Sequence, residues 1–258
     1  MQPDNLTPRD ENGVLHVVAL SGGHDSTALA LLLKEREPRP YVYVCTPTGD
    51  ELPEMFAHWR DLGERLGSKI IPIMGGTLKS VIASEGTLPN FRIRFCTRKL
   101  KIEPYRAWLL SHSFFSRTIS YVGLRADEPG RAGGAYADIA GVDMRFPLRE
   151  WGMGEDEVQA TLRRFGVKCP DRTDCARCYH QRIGEWFELW RDHRDIFEDA
   201  AAQEAELNAT FRTPGRDSWP TALSEIAERF EAGDKPVISL DRMARERMRA
   251  GGCRVCSM

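Results

Sequence analysis

The chain has 258 residues, of which 41% are hydrophobic and 29% charged, and its formal net charge is −2. This length suits one large domain or one domain with an appendage, and the near-neutral charge excludes binding to nucleic acid through overall charge alone. No stretch approaches the roughly 20 apolar residues of a membrane helix, and residues 1–12 are polar rather than a targeting segment, so we expect a cytoplasmic protein without a membrane anchor.

The first predicted element is a buried strand that leads into a glycine-rich turn. Residues 14–20, VLHVVAL, are apolar and rich in β-branched side chains, and TALALLLKE after the turn is typical of a helix. The turn between them consists of Ser21, Gly22, Gly23, His24, Asp25 and Ser26. Such a strand-to-helix turn lets backbone N–H groups converge on a phosphate, and a Mg²⁺ ion bridging to the phosphates would explain Asp25. The alternative is a Gly-Ser turn that only closes a βα unit.

Strands and helices then alternate through the first half of the chain. Strands are predicted at 41–45, 68–73 and 117–124, and helices at 52–66 and 97–111, with Pro104 as a kink or break. The glycine-rich stretch 126–145 is predicted to be a mobile cover. Right-handed crossovers of this length give an α/β fold with a doubly wound parallel sheet, so we expect a nucleotide-binding domain over residues 1–150.

Two further loops are expected beside the glycine-rich turn, because ligands of parallel sheets lie beyond the carboxyl ends of the strands. In the first loop, Gly49 permits a tight turn and Asp50 offers a carboxylate to a cation or a ribose hydroxyl. Alternatively, Asp50 is a helix N-cap that precedes Pro53. The second loop begins at Gly123, and its Arg125 is predicted to grip phosphates; the alternative is a solvated charged loop.

The segment 91–101, FRIRFCTRKLK, contains five cations and no acid: Arg92, Arg94, Arg98, Lys99 and Lys101. This density favours an anionic ligand, which could be the phosphates of ATP, a phosphosulfate or a nucleic-acid backbone. Cys96 lies within this basic segment. Nearby cations would lower its pKa and make it a reactive thiolate, whereas the alternative is a cysteine that is merely buried.

Residues 151–258 are predicted to form a mostly helical region that carries cysteines. Helices are expected at 154–166, 183–204 and 221–233, and the apolar stripe of Trp186, Leu189 and Trp190 is assigned to the core. Two C-x-x-C pairs occur, at Cys175 and Cys178 and at Cys253 and Cys256, with Cys169 as an alternative ligand. Four thiolates could hold Zn²⁺ or a [4Fe–4S] cluster. Alternatively, the terminal pair is an exposed redox-active dithiol.

Several of these motifs together resemble a known family. SGGHDS looks like the pyrophosphate loop of the ATP pyrophosphatase (PP-loop) superfamily. The ordered set of SGGHDS, CTPTGDELPE, FCTRKLKIEP, GLRADEPGR, RTDCARC and CRVC resembles the phosphoadenosine-phosphosulfate (PAPS) reductase-like family, most closely its phage- and prophage-associated members. The resemblance implies an adenine nucleotide α-hydrolase-like fold. It places ATP, or an adenylyl sulfate such as PAPS, against the 21–26 loop together with Gly49, Asp50, Gly123 and Arg125.

The resemblance also implies an enzyme that binds ATP with Mg²⁺ and adenylates a substrate with release of pyrophosphate. Asp25, Arg125 and Lys101 would act in adenylyl transfer. A sulfurtransferase that modifies a nucleic acid or a small molecule is the first hypothesis, because Cys96 stands alone where cluster-carrying reductases have an adjacent pair of cysteines. The partners would then be a nucleic-acid acceptor at residues 92–101 and a sulfur donor.

Two alternatives remain open at this point. One is a PAPS or adenylyl-sulfate reductase that uses Cys253 or Cys256 together with thioredoxin. The chain ends in CRVCSM rather than in the Glu-Cys-Gly-x-His pattern of such reductases, which argues against sulfate reduction. The other alternative is a nucleotide-binding protein of phage–host interaction that has lost its chemistry. A homodimer is a further option that the sequence leaves open.

Overall fold

A parallel sheet forms the centre of the protein in a computed structural model that describes residues 7–131, 136 and 138–237. Its strands within those ranges are β1 (Leu15–Ala19), β2 (Tyr41–Cys45), β3 (Ile70–Pro72), β4 (Thr118–Tyr121) and β5 (Val142–Arg145). Their spatial order is β3-β2-β1-β4-β5, and every neighbouring pair is parallel. The chain moves outward from β1 in one direction and then in the other, so the order reverses between β1 and β4. The predicted α/β doubly wound fold is confirmed.

Helices cover both faces of the sheet and continue beyond it. The helices of the described residues are α1 (His24–Arg36), α2 (Pro53–Leu66), α3 (Leu78–Glu85), α4 (Phe95–Thr97), α5 (Glu103–Ser113), α6 (Pro147–Glu150), α7 (Glu155–Phe165), α8 (Ile183–Asp192), α9 (Arg194–Leu207) and α10 (Leu223–Glu231). One face of the sheet packs against α1, α2 and α7, and the opposite face packs against α5. Because both faces are covered, β1 and β2 are continuous apolar runs rather than alternating ones.

The glycine-rich stretch 126–145 contains a strand that the sequence analysis did not predict. Val142–Arg145 forms β5 at the edge of the sheet and pairs with β4. Its side chains begin to alternate, with Val142 buried and Asp143 exposed, but four residues are the shortest run in which such alternation can be read. Residues 132–135 and 137 of the predicted mobile cover lie outside the described residues.

Two predicted helices differ from the structure at their interiors. The helix at 183–204 is divided into α8 and α9 at His193, whose φ of −137° and ψ of 61° are not helical. The helix is not broken at Pro104: a π-helical turn, Arg98–Ile102, leads directly into α5, and Pro104 lies in the first turn of α5. Proline lacks an N–H group and its ring crowds the carbonyl one turn earlier, and a wider turn accommodates both effects.

A second hydrophobic core joins the C-terminal helices to the first half of the chain. It contains Trp186 and Leu189 of α8 together with Leu78 and Leu100, so the predicted apolar stripe is core. Because this core crosses residue 150, the proposed domain boundary there stays a prediction. None of the helices in the described ranges is long and apolar enough to cross a membrane.

A buried carboxyl group holds together the chain between α9 and α10. Glu204 is 5% exposed, and its Oε1 and Oε2 accept the backbone N–H groups of Phe211 and Leu223, each at 2.7 Å. Burial raises the pKa of Glu204 to about 7, although both hydrogen bonds oppose this shift. The folded protein therefore retains a proton at Glu204 over a pH range in which the unfolded chain has lost it.

We predict that Glu204→Gln changes how stability depends on pH. Because the folded pKa exceeds its ordinary value of 4.5, the wild-type free energy of unfolding should fall as pH rises from about 4.5 to about 7. Across this window the free energy of unfolding of the variant should rise relative to that of the wild type. The difference amounts to about 1.4 kcal/mol for each pH unit, or up to about 3 kcal/mol in all. Urea denaturation at pH 5 to 8 measures the effect. Glu206→Gln, at an exposed position of α9, is the control and should keep the wild-type dependence of unfolding free energy on pH. If Glu204→Gln showed the same pH dependence as this control, the prediction would be contradicted.

Candidate active site

The glycine-rich loop lies between β1 and the first turn of α1, as predicted. Gly22 has φ +82°, and a Cβ atom there would lie 2.5 Å from Cε of Met55 and 2.8 Å from Nε1 of Trp59. Only glycine therefore fits this position. The hydroxyl oxygens of Ser21 and Ser26 are 3.1 Å apart, and Ser26 donates to the carbonyl of Gly23 at 3.2 Å. These contacts hold the loop closed around the amino end of α1.

The loop that follows β4 lies directly against the glycine-rich loop. A Cβ atom at Gly123 would be 3.0 Å from the backbone nitrogen of Ser26, so this close approach requires glycine. β1 and β4 are the two strands between which the order of the sheet reverses, and ligands of open α/β sheets bind at such a point. The structure therefore brings the 21–26 loop and Gly123 together, as the sequence analysis expected.

Arg125 and Asp25 form a buried ion pair across this junction. Their side chains are 4% and 5% exposed, and Nη1 of Arg125 donates to the two carboxylate oxygens of Asp25 at 3.2 and 3.3 Å. Asp127 and Glu128 also contact the guanidinium, at 2.9 and 3.3 Å. Burial raises the pKa of Asp25 to about 6, while Arg125 opposes the shift.

This ion pair affects two predicted roles: coordination of Mg²⁺ by Asp25 and binding of phosphates by Arg125. The Arg125 guanidinium contacts the carboxylates of Asp25, Asp127, Glu128 and Glu155, so in this conformation it positions the β4 loop. A Mg²⁺ ion on Asp25 would have to compete with Arg125 for a carboxylate that is almost inaccessible to solvent. The arrangement does not fit direct coordination of Mg²⁺ by Asp25. The grip of Arg125 on phosphates stays a prediction.

The loop after β2 connects the sheet to the cysteine-rich segment. Gly49 has φ +71°, which confirms the tight turn. Asp50 is buried and accepts hydrogen bonds from the Arg177 backbone N–H at 3.2 Å and from its Nε at 2.6 Å. Burial raises the pKa of Asp50, and Arg177 opposes this shift. The alternative of Asp50 as an N-cap is wrong, because α2 is capped by Leu52; Pro53 does occupy the first helical turn.

Three cysteines that are distant in sequence line one small cavity of about 20 Å³, together with Lys101. They are Cys96, Cys175 and Cys178. The Thr48 hydroxyl donates to Glu51 at 2.8 Å and lies 3.2 Å from the Cys175 sulfur, so it accepts the thiol hydrogen. We call this space the cysteine cavity. No local pattern in the sequence connects Cys96 with the C-x-x-C pair, because these positions are far apart in the chain.

Two thiols of the cysteine cavity, those of Cys96 and Cys175, are protonated at neutral pH. Burial raises the pKa of Cys96 and of Cys175, and in both cases Lys101 opposes the shift. The predicted lowering of the Cys96 pKa by nearby cations is therefore wrong, because desolvation of the thiolate outweighs their attraction. Within residues 7–131, 136 and 138–237, no group of three or more His, Cys, Asp or Glu side chains is arranged to hold a metal ion.

The other predicted cysteine ligands lie elsewhere. Cys253 and Cys256 are outside the described residues. Cys169 is buried beside Thr27 of α1, and burial raises its pKa to about 11. It lines a different cavity, of about 610 Å³, between α2, α8 and residues 167–172. Cys169 is thus separate from the cysteine cavity.

Acidic side chains from outside the basic segment neutralise part of it. Arg98 pairs with Glu103 at 3.1 Å, and Lys99 pairs with Glu85. Lys101 lies at the cysteine cavity rather than on an open surface. The segment therefore presents less positive charge than its sequence indicates, and a nucleic-acid acceptor there stays a prediction.

Comparison with known proteins identifies the first part of the chain. The phosphoadenosine phosphosulfate reductase domain matches residues 15–168, more than half of the chain. No curated protein matches it. Among solved structures, the phosphoadenylyl-sulfate (PAPS) reductase from Candida auris in complex with phosphate is similar over 60% of this chain and 74% of its own, with 12% sequence identity and a TM-score of 0.45.

We predict that Arg125→Gln lowers the free energy of unfolding by about 3–5 kcal/mol, because it leaves the buried Asp25 carboxylate without its cation. Arg106→Gln is the matched control. It removes a more exposed pair with Asp138, which should contribute no more than about 1 kcal/mol. Urea denaturation at pH 7.5 measures both variants. Equal, small losses would show that the buried pair does not hold the two loops together.

Proposed function

The chain belongs to the phosphoadenosine phosphosulfate reductase domain family, and on that premise we propose that it binds an adenine nucleotide against residues 21–26. The observation that carries the proposal is the complete Ser-Gly-Gly-x-Asp-Ser loop at the point where the strand order reverses. The amino end of α1 supplies backbone N–H groups and positive potential to an anion there. The family match covers this loop.

We propose further that the chain adenylates a substrate with release of pyrophosphate and then transfers sulfur to it. The complete loop supports this reading, since an enzyme that cleaves ATP needs to hold the leaving pyrophosphate. The protonation of the Cys96 and Cys175 thiols also supports sulfur transfer. Thiols that keep their protons are poor nucleophiles, but buried thiols of this kind become thiolates when they bind a metal.

Reduction of PAPS or adenylyl sulfate is the second candidate, and the family match favours it. In that reaction a thiolate attacks the sulfate sulfur and displaces the nucleotide, and a second thiol then releases sulfite and leaves a disulfide. The cysteines of the described residues are buried or half-buried, so the attacking thiol would be Cys253 or Cys256. Thioredoxin would be the reductant.

The cysteine cavity is the candidate site of a metal centre. We propose that Cys175 and Cys178 provide two of its thiolate ligands and that Cys253 and Cys256 provide the others, with Cys96 at the same cavity. With all four thiolates bound, such a centre would supply a structural tie. Only a cluster that one of these cysteines leaves unligated would offer an open iron position to sulfide. A volume of about 20 Å³ is close to that of one water-sized occupant, so a four-iron cluster would require the walls to move apart.

We expect pyrophosphate release from ATP in the presence of an acceptor, and sulfite release from PAPS if the second candidate is right. Asp25→Asn should reduce either activity at least tenfold, because it removes the charge that orders the β4 loop. Asp61→Asn, on the exposed face of α2, should leave activity unchanged. Assays for pyrophosphate and for sulfite distinguish the two reactions. A wild-type protein that binds neither ATP nor PAPS would refute the proposed function.

Cys175→Ser should lose bound metal and, with it, part of the folding stability, since the energy of a structural metal site is also folding energy. Purification without oxygen, followed by metal analysis and a visible spectrum, tests this. Cys45→Ser is the matched control, because Cys45 is buried at the end of β2 and does not line the cysteine cavity. Wild-type protein without metal would contradict the expectation.

A further inference from the structure

We propose that the indole N–H of Trp59 donates a hydrogen bond to a phosphate oxygen of the nucleotide held at residues 21–26. Trp59 lies on α2, outside the motifs that identify the loop. The inference rests on the proposed function, since it concerns the ligand of the same loop, and it assigns that ligand a contact from a different element of the fold.

The position of the Trp59 ring supports the proposal. Its Nε1 is 2.8 Å from the point that a Cβ atom of Gly22 would occupy, and its Cδ1 is 3.5 Å from the same point. The polar edge of the indole therefore lies beside the loop. Phe56 packs against the ring edge-on, with centroids 5.8 Å apart and an interplanar angle of 83°. This packing gives the N–H group a fixed place.

The Trp59 Nε1 is buried, and no atom of the described residues accepts its hydrogen. An indole N–H can only donate, and leaving a buried donor without an acceptor is unfavourable. Two other tryptophans, Trp186 and Trp190, also have buried Nε1 atoms without an acceptor, but they belong to the second core. Trp59 differs from them in its place beside the loop.

The chemistry of the loop identifies the acceptor as an anionic oxygen. The loop has no lysine of the Walker type, so its donors are backbone N–H groups and the serine hydroxyls. His24 of the loop also has a buried Nδ1 without a partner among the described residues. Burial lowers the pKa of His24, which makes the neutral imidazole the expected form at neutral pH. A neutral, rigid donor such as Trp59 would orient a phosphate oxygen through a hydrogen bond without adding positive charge to the site.

Trp59→Phe tests the proposal, because phenylalanine keeps an aromatic ring in the same place and lacks the N–H group. Calorimetry with inorganic pyrophosphate, and separately with ATP, should give a Kd about tenfold higher than that of the wild type, as expected for the loss of one hydrogen bond to a charged acceptor. Trp190→Phe is the matched control: it removes a similarly unpartnered N–H far from the loop in sequence, and its Kd should equal that of the wild type.

A second measurement does not depend on the stability of a variant. In wild-type protein labelled with ¹⁵N, the indole resonance that Trp59→Phe removes should shift when pyrophosphate is added. An unchanged Kd in Trp59→Phe, or a stationary indole resonance while the Gly22 and Gly23 amides shift, would overturn the inference and leave the proposed function intact. If the wild type binds neither pyrophosphate nor ATP, both the inference about Trp59 and the proposed function are wrong.

Discussion

The buried pair of Arg125 and Asp25 is the contact on which the geometry of the candidate site depends. It joins the first turn of α1 to the loop after β4, and these are the two segments that leave the sheet where its strand order reverses. Taking both charges out of water is unfavourable unless the remaining hydrogen-bonding groups have partners, and Asp127 and Glu128 provide two further contacts to the guanidinium. Gly123 permits the close approach of the two segments, since a Cβ atom there would lie 3.0 Å from the Ser26 backbone nitrogen.

A second buried pair, between Asp50 and Arg177, repeats the same arrangement on the other side of β1. It fixes the loop after β2 to the segment that carries Cys175 and Cys178. One carboxylate–guanidinium pair therefore orders the glycine-rich loop, and the other orders the cysteine cavity. Both pairs are attached to loops at the carboxyl ends of adjacent strands, so the two sites share one rigid support.

Local patterns predicted most of the sheet but not all of it. The runs at β1 and β2 are apolar and β-branched because both faces are covered, which makes such strands easy to recognise. β5 has only four residues and lies at the edge, where packing on β4 decides its conformation. The apolar spacing of α8 continues through His193 into α9, so nothing in the spacing signals the break.

The candidate site was predictable where it follows from one motif and not where it follows from tertiary contacts. The loop at 21–26, Gly49 and Gly123 lie at the edge that the order of strands and loops predicted. The pairing of Asp50 with Arg177, the approach of Cys96 to the C-x-x-C pair and the position of Trp59 arise from contacts between distant segments. The charge of the basic segment was overestimated because Glu85 and Glu103 compensate it in the fold.

The protonated state of the buried thiols has a consequence for how the protein tolerates air. Oxidation by peroxide and alkylation by electrophiles both proceed through the thiolate, so a cysteine that holds its proton reacts slowly. Burial raises the pKa of Cys96 and Cys175, so both thiols are shielded from accidental damage. The fold thus keeps these two cysteines in their reduced form when the protein is exposed to air.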